Sequence, residues 1–200
     1  LLLSASCKDD EENANTMYRK EMRKFVIELS NYAREAQPGF IVIPQNGQEL
    51  ITDNGEPDGS IQTEYVAAVD ATGREDMFYG YYADDEATSY EDMQYLLDLC
   101  LLCERQGIEV MTTDYCSTHD NMDNSYDKNF QNGFVSFAAD HRELDNIPKY
   151  PTPIFNENDD DILDVSMVSN FLYLINSQNY NTKNDFIEAV RGTNYDLVIM

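Results

Sequence analysis

A chain of 200 residues with 42% hydrophobic content, 14 Tyr and 9 Phe can fill a real core, as one large domain or two small ones. Its 38 acidic residues against 13 basic ones give a formal charge of -25, and such a surface repels nucleic acid and anionic lipid, whose phosphates need a Lys/Arg stripe. Cationic or neutral partners are favoured, and no stretch approaches the roughly 18 to 20 apolar residues of a membrane-spanning helix.

The opening run Leu1-Leu2-Leu3-Ser4-Ala5-Ser6-Cys7 is apolar, closes on small residues and a cysteine, and is followed by Lys8-Asp9-Asp10-Glu11-Glu12. It resembles the end of a bacterial lipoprotein signal, with Cys7 as the lipid-modified residue and the charged stretch similar to the surface-export tag of some Gram-negative lipoproteins. On this reading 1–16 are a signal remnant and acidic linker, the domain occupies 17–200, and the protein sits outside the cell or on the outer-membrane surface, touching membrane only through its anchor. The alternative is a polar N-terminus after an unrelated apolar stub.

From 17 to 36, apolar residues fall at Met22, Phe25, Val26, Leu29, Tyr32, Ala33 and Ala36, which predicts an amphipathic helix stopped by Pro38-Gly39. Residues 40–43 are apolar without alternation, as in a strand buried on both faces. A surface loop is predicted over 54–60, a short helical piece over 61–66 and a strand over 67–71. The helical spacing returns over 88–106, where Thr88 and Glu91 form a possible capping box and Gly107 a stop. A strand over 108–113, a helix over 122–131 and a strand over 134–138 come next. The Pro- and Asp-rich stretch 147–161 is a long connection, after which a strand is expected over 171–175, a helix over 182–191 and a strand over 195–199.

Repeated βα units argue for a parallel sheet with helices outside, either open and doubly wound or closed as a (β/α)8 barrel. Six candidate strands fall short of a barrel, which usually needs about 250 residues. The finish at Val198-Ile199-Met200, in mid-strand, leads to the expectation of a fragment.

In either architecture functional groups collect just beyond the carboxyl ends of the strands. Those positions hold Gln45 and Asn46, Glu75, Asp114 and Tyr115, Asp140 and Arg142, and Asn176. Carboxylates, amides and aromatic rings suit sugar chemistry: the polar groups hydrogen-bond hydroxyls and amines, and Tyr rings cover C–H faces. Hydrolysis of a glycosidic bond needs two carboxyls, one to protonate the leaving oxygen and one to attack or to activate water. Glu75 and Asp114 are the catalytic candidates, and Gln45, Asn46, Tyr115, Asp140 and Arg142 the substrate-binding ones. Charged groups at strand ends serve structure equally well, and Asn46-Gly47 is also an ordinary turn signal.

Other chemistries find less support. Cys100 and Cys103 form a C-x-x-C, but they lie inside a leucine-rich helical run with no second ligand pair, so core packing is the better reading. His119 and His141 are too few and too isolated for a zinc site. Neither G-x-G-x-x-G nor G-x-x-x-x-G-K-[ST] occurs, which disfavours nucleotide cofactors, and no cofactor or metal is expected. Asp84-Asp85-Glu86 and Asp159-Asp160-Asp161 lack the spacing of a calcium loop.

The blocks MRKFVIELSNYAREAQPGFIVIPQNGQEL, VDATGREDMFYGYYADDEAT, EVMTTDYC, FVSFAADHREL and NFLYLIN…TNYDLVIM together resemble an extracellular bacterial family of glycosidases related to glycoside hydrolase family 114, the endo-α-1,4-polygalactosaminidases. Some of its members are labelled cysteinyl-tRNA synthetase related, yet the HIGH-like and KMSKS-like motifs of a synthetase do not occur here. The resemblance spans 17–200 and implies a (β/α)8 barrel and retaining hydrolysis of galactosamine-type polysaccharide by one Asp and one Glu; a monomer is expected. Glu75 matches the family's Glu, Asp114-Tyr115 an acidic-Tyr pair, and Gln45-Asn46 a Lys/Gln-Asn pair facing the cleft. No block similar to FDGVYLD, which supplies the catalytic Asp, precedes residue 38, and the blocks similar to the family's opening strands come last. The expectation is an incomplete, circularly permuted barrel with half an active site, inactive alone. A barrel that binds carbohydrate without cleaving it is the alternative.

Overall fold

The computed structural model describes the backbone of residues 4–200, and side chains from residue 15 onward. The side chain of Cys7, the expected lipidation site, lies outside the described residues. Two compact units are present: the residues through Thr72 with Tyr95–Ile108 form the first, and Gly73–Gln94 with Glu109–Met200 the second. Both β1 (Ala71–Glu75) and α3 (Tyr90–Arg105) carry this division within them.

In the first unit, α1 (Ser4–Ala36) precedes a 3-10 helix over Gln48–Ile51 and the single turn α2 (Thr63–Val66). Ile51, Tyr65, Ala68, Leu99, Cys100 and Cys103 supply its buried side chains. The contact face of α1 carries Arg23, Val26 and Ser30, whereas Met22, Phe25, Leu29 and Tyr32 are exposed, so the apolar stripe predicted to be the core face is only grazed by burial. Arg23 compensates by donating to the carbonyls of Thr52 at 2.7 Å and Leu50 at 3.3 Å. Burial pushes its pKa down, with neighbouring Arg19 adding to the effect. Cys100 and Cys103 are buried free thiols, and burial raises Cys103 to about 12, the behaviour of core sulfur.

The predicted buried strand over 40–43 is corrected. Residues 40–44 run extended outside any named strand, and Phe40 and Ile41 are 44% and 47% exposed. Prolines at 38 and 44 remove the N–H groups a central strand would need at both ends. The segment lies beside the entry to β1 by a few bonds: Asp70 N donates to the Val42 carbonyl at 3.0 Å, Val42 N to Asp70 Oδ2 at 2.7 Å, and Thr72 Oγ1 to the Pro44 carbonyl at 3.3 Å. The strand expected over 67–71 lies later, over Ala71–Glu75, because the apolar run around Ala67 closes the turn of α2 instead.

The second unit is built on β2 (Glu109–Tyr115) and β3 (Val135–Ala139), which pair in parallel from Met111 opposite Val135 to Tyr115 opposite Ala139. The sheet order is β1-β2-β3. β4 (Phe171–Tyr173) and β5 (Leu197–Ile199) form a separate parallel pair. The ring of Phe137 in β3 meets Phe171 in β4 at 5.8 Å and Tyr195 at 6.5 Å. Helices α4 (His119–Gln131) and α5 (Lys183–Arg191) complete the unit, and the 147–161 connection sends Phe155 onto Tyr126 of α4 at 4.5 Å.

The expected (β/α)8 barrel, incomplete and permuted, is likewise corrected. The described residues form a small α/β structure with five helices and two parallel ladders of three and two strands, and no eight-stranded barrel. Alternating βα units specify parallel pairing and outer helices, features that open sheets and barrels share, so the sequence pattern could not choose between them.

A candidate active site at the strand ends of the second unit

Glu75 is the last residue of β1, and the chain turns sharply after it because Asp76 adopts a left-handed φ of 60°. The loop beyond this turn is fastened to the end of β2. Tyr79 and Ala87 form an antiparallel bridge, Gly80 N donates to the Glu86 carbonyl at 3.0 Å, and Thr88 N to that of Phe78 at 2.9 Å. Asp85 N donates to the Tyr115 carbonyl at 2.9 Å, and Tyr115 N to that of Tyr79 at 3.2 Å.

Asp114 is the pin beneath this loop. It is fully buried, and its Oδ1 accepts from the backbone N–H groups of Phe78 at 2.8 Å and Tyr79 at 3.2 Å. Its Oδ2 accepts from Ser125 Oγ at 2.6 Å and Asn129 Nδ2 at 3.2 Å, both on α4. Burial raises its pKa, and the four donors act the other way. Both oxygens are thus engaged inside the protein, which suits an anchor rather than a group that meets substrate.

Tyr115, the last residue of β2, points the other way along the strand alternation and brings its hydroxyl to Glu75 Oε1 at 2.5 Å. Burial raises the Tyr115 pKa, and the Glu75 contact adds to it. The Arg142 guanidinium covers the Tyr115 ring, its carbon 3.9 Å from the centroid. The same guanidinium donates to Asp76 Oδ1 at 2.9 Å, Asp84 Oδ1 at 2.8 Å and the Gly80 carbonyl at 2.6 Å. Burial opposes its charge, but the two aspartates outweigh that and push its pKa up. In turn burial raises Asp76 while Arg142 pulls it down. Gly80 makes room for this clamp: its φ is 111°, and a Cβ there would stand 2.5 Å from Asp76 Oδ1 and 3.0 Å from Arg142 Nη2.

Next to the clamp, Asp140 comes directly after β3 and accepts from Asn146 Nδ2 at 3.0 Å. His141 bridges Asp140 at 2.7 Å and Asp145 at 2.6 Å, and Asp145 also accepts from Gln178 Nε2 at 3.0 Å. Tyr173 closes β4, and its pKa is raised by burial and then by the charge of Glu75. Glu75, Tyr115, Asp140 and Arg142 therefore belong to one unit, with Arg142 occupied by protein groups rather than offered to a ligand. Gln45 and Asn46 belong to the first unit, where Asn46 at φ 59° and Gly47 at φ 76° turn the chain into the 3-10 helix. Asn176 Oδ1 accepts from Gln178 N at 3.1 Å and shapes the turn after β4.

Sequence reasoning missed Asp76, Asp84 and Gly80 as the makers of the clamp, and Tyr173. The signal present in the chain is the acidic doublet Glu75-Asp76, with a glycine four residues after its second member. Among the described residues, no group of three or more His, Cys, Asp or Glu converges as metal ligands would, and no helix is long and apolar enough to cross a membrane.

No protein-family profile matches the chain. It is similar to an uncharacterized protein of Deinococcus radiodurans, 30% identical over 129 residues that cover 64% of this chain and 38% of the relative. An uncharacterized protein of Methanocaldococcus jannaschii is 30% identical over 146 residues, covering 68% of this chain and 40% of the relative. One of Thermotoga maritima is 28% identical over 129 residues, 60% of this chain and 36% of the relative. The aligned region spans about two-fifths of the length of these relatives.

Proposed function

We propose that the protein is a glycoside hydrolase acting on α-1,4-linked galactosamine-type polysaccharide, with Glu75 as one of its two carboxyls. The observation that carries this reading is the Glu75–Tyr115 couple: a half-buried carboxylate at the end of one strand, held at 2.5 Å by a hydroxyl from the end of the next. A carboxyl fixed at that edge can protonate a leaving oxygen in its acid form or attack an anomeric carbon as the carboxylate, and the surrounding Tyr rings offer apolar faces to sugars. The charge of -25 suits a cationic amino-sugar polymer. The resemblance of the EDMFYG and TDYC blocks to the glycosidase family points the same way.

Asp114 is not assigned to the second carboxyl, since its four internal donors leave it no route to a substrate. That same observation favours a second reading, in which the protein binds carbohydrate without cleaving it.

One experiment separates the two. The full-length protein is incubated with α-1,4-galactosamine polymer and with neutral glycans, and new reducing ends are counted. Turnover on the amino-sugar polymer that falls at least a thousandfold in Glu75→Gln, with an unchanged circular dichroism spectrum, is the expected result. Saturable binding without turnover would establish the second reading, and full turnover by the variant would remove Glu75 from the chemistry. We further propose surface anchoring through lipid on Cys7, which mass spectrometry of the mature N-terminus would test.

A further inference from the structure

The loop after Glu75 carries exposed aromatic surface that its own fold does not use. Tyr81 is 43% exposed, Tyr82 67% and Tyr90 76%, within ten residues of each other. Tyr81 and Tyr82 stand edge to face, with centroids 5.0 Å apart and planes at 75°. Tyr82 is the anchored member of the pair. Tyr82 Oη donates to Asp92 Oδ2 at 2.6 Å, and that carboxylate is held in turn by Ser89 Oγ at 2.5 Å. Immediately before the pair, the Gly80 carbonyl accepts from Arg142; shortly after it, Asp84 pairs with the same guanidinium.

The outward parts of these rings add no burial to the fold, and the Tyr82 ring, held by its bond to Asp92, has already lost part of the rotamer freedom that binding would otherwise cost. A Tyr face that is rigid and wet suits a ligand that is apolar on one side and hydroxylated around its rim. The pair is also joined to the proposed chemistry: the guanidinium that holds Gly80 lies on the Tyr115 ring, and the Tyr115 hydroxyl holds Glu75.

We propose that Tyr81 and Tyr82 form an aromatic platform that binds a sugar ring away from the cleavage point, so that this site takes a saccharide chain rather than a single sugar. This inference rests on the carbohydrate reading of the Glu75 site. The net charge of -25 favours neutral and cationic sugar chains over uronic-acid chains.

The test is the affinity of the full-length protein for α-1,4-galactosamine oligomers from the disaccharide to the octamer, titrated by calorimetry. In the unaltered protein affinity rises with length. In Tyr81→Ala/Tyr82→Ala the octamer binds about tenfold more weakly and the gain with length disappears, while Tyr82→Phe, which keeps the ring and loses the Asp92 bond, drops only about threefold. Both single alanine variants are measured beside them, and their circular dichroism spectra are expected to match the unaltered protein because the rings are exposed. A double variant that keeps the full gain with length, or an unaltered protein whose affinity is flat with length or undetectable, overturns the platform. Tyr-dependent gain with length but no hydrolysis would support the platform and sink the catalytic reading. Hydrolysis without Tyr dependence would do the reverse.

Discussion

Asp114 shows how one side chain can hold a loop in place: its two oxygens tie the backbone of Phe78 and Tyr79 to Ser125 and Asn129 of α4. Removing it takes the acceptor from the backbone N–H groups of Phe78 and Tyr79 and from the Ser125 hydroxyl, while Asn129 Nδ2 keeps its bond to the Ser125 carbonyl. Asp114→Ala is therefore expected to lose about 3 kcal/mol or more of stability, read as a lower urea midpoint at unchanged m value. A loss below about 1 kcal/mol would mean that the loop does not depend on this carboxylate. Gly80 makes a sharper case, because no side chain fits its φ of 111° or the space beside Asp76 and Arg142. Gly80→Ala should cost about 1–3 kcal/mol and displace the Arg142 guanidinium from the Tyr115 ring, visible as a change in the near-ultraviolet Tyr signal. An unaltered spectrum together with unaltered stability would show that the clamp is not sterically set.

Among the elements, α4 owes its start to a residue far away in sequence. Thr118, at its N-cap, makes no side-chain cap bond, and Asp85 supplies the negative charge instead. Asp85 Oδ1 accepts from Ser117 N at 2.8 Å, Thr118 N at 3.0 Å, Thr118 Oγ1 at 3.1 Å and Asn121 Nδ2 at 3.1 Å, beside the positive end of the helix dipole. Burial works to raise the Asp85 pKa, but these bonds together win and the net shift is downward. A carboxylate lowered on folding stabilises above its unfolded value, near 4, and that stabilisation fades as the pH falls through the lower folded value. Asp85→Ala should cost about 1 kcal/mol at neutral pH, and the gap to the unaltered protein should close as the pH falls through the lowered folded value. Thermal melts of the two proteins across that range check it; a gap that widens on acidification would refute the assignment. His141 has the opposite sign. Asp145 first, and then Asp140, raise its pKa against burial, so its contribution is complete below about 6.5 and is lost as the pH rises through the raised folded value. His141→Gln should remove that loss, flattening stability between mild acid and weak alkali; an unchanged slope in the variant would place the pH dependence elsewhere.

For the molecule as a whole, what the sequence made legible was local and what it hid was long-range. Helical spacing located α3 and α5 to within two residues at either end, because apolar periodicity and the stops at Gly107 and Gly192 are written in neighbouring residues. The alternation of strands with helices implied the parallel sense in which β2 meets β3, but not which residues pair. Over 40–43 the apolar content predicts a strand, but the prolines at 38 and 44 bar the segment from a ladder. Whether Asp114 faces solvent or core depends on which way the last residues of β2 point, and a one-residue shift would exchange its place with Tyr115. The pairing of Tyr115 with Glu75 spans 40 residues, a contact that the fold makes and no spacing rule announces.

Net charge acts at this largest scale and supports the last prediction. With 38 acidic residues against 13 basic ones, most carboxylates cannot find a cation, and the folded chain carries repulsion that the expanded chain partly relieves. Some pairs exist, such as Arg34 with Asp70 and Arg142 with Asp76, but they are partly sheltered, whereas Lys24–Glu28 and Arg191–Glu188 are exposed and contribute little. Salt therefore has more repulsion to screen than attraction. At low ionic strength the screening length is tens of ångströms and unpaired carboxylates feel one another across the surface; near physiological salt it shrinks to about 8 Å and only neighbours interact. Raising NaCl from about 20 mM to about 300 mM should lift the thermal midpoint by a few degrees, the equivalent of about 1 kcal/mol for a chain of this size. Scanning calorimetry at neutral pH measures it directly. A midpoint that stays level or falls would mean that attractive pairs outweigh the excess charge, and that the acidic surface is balanced by an arrangement of cations that its composition does not suggest.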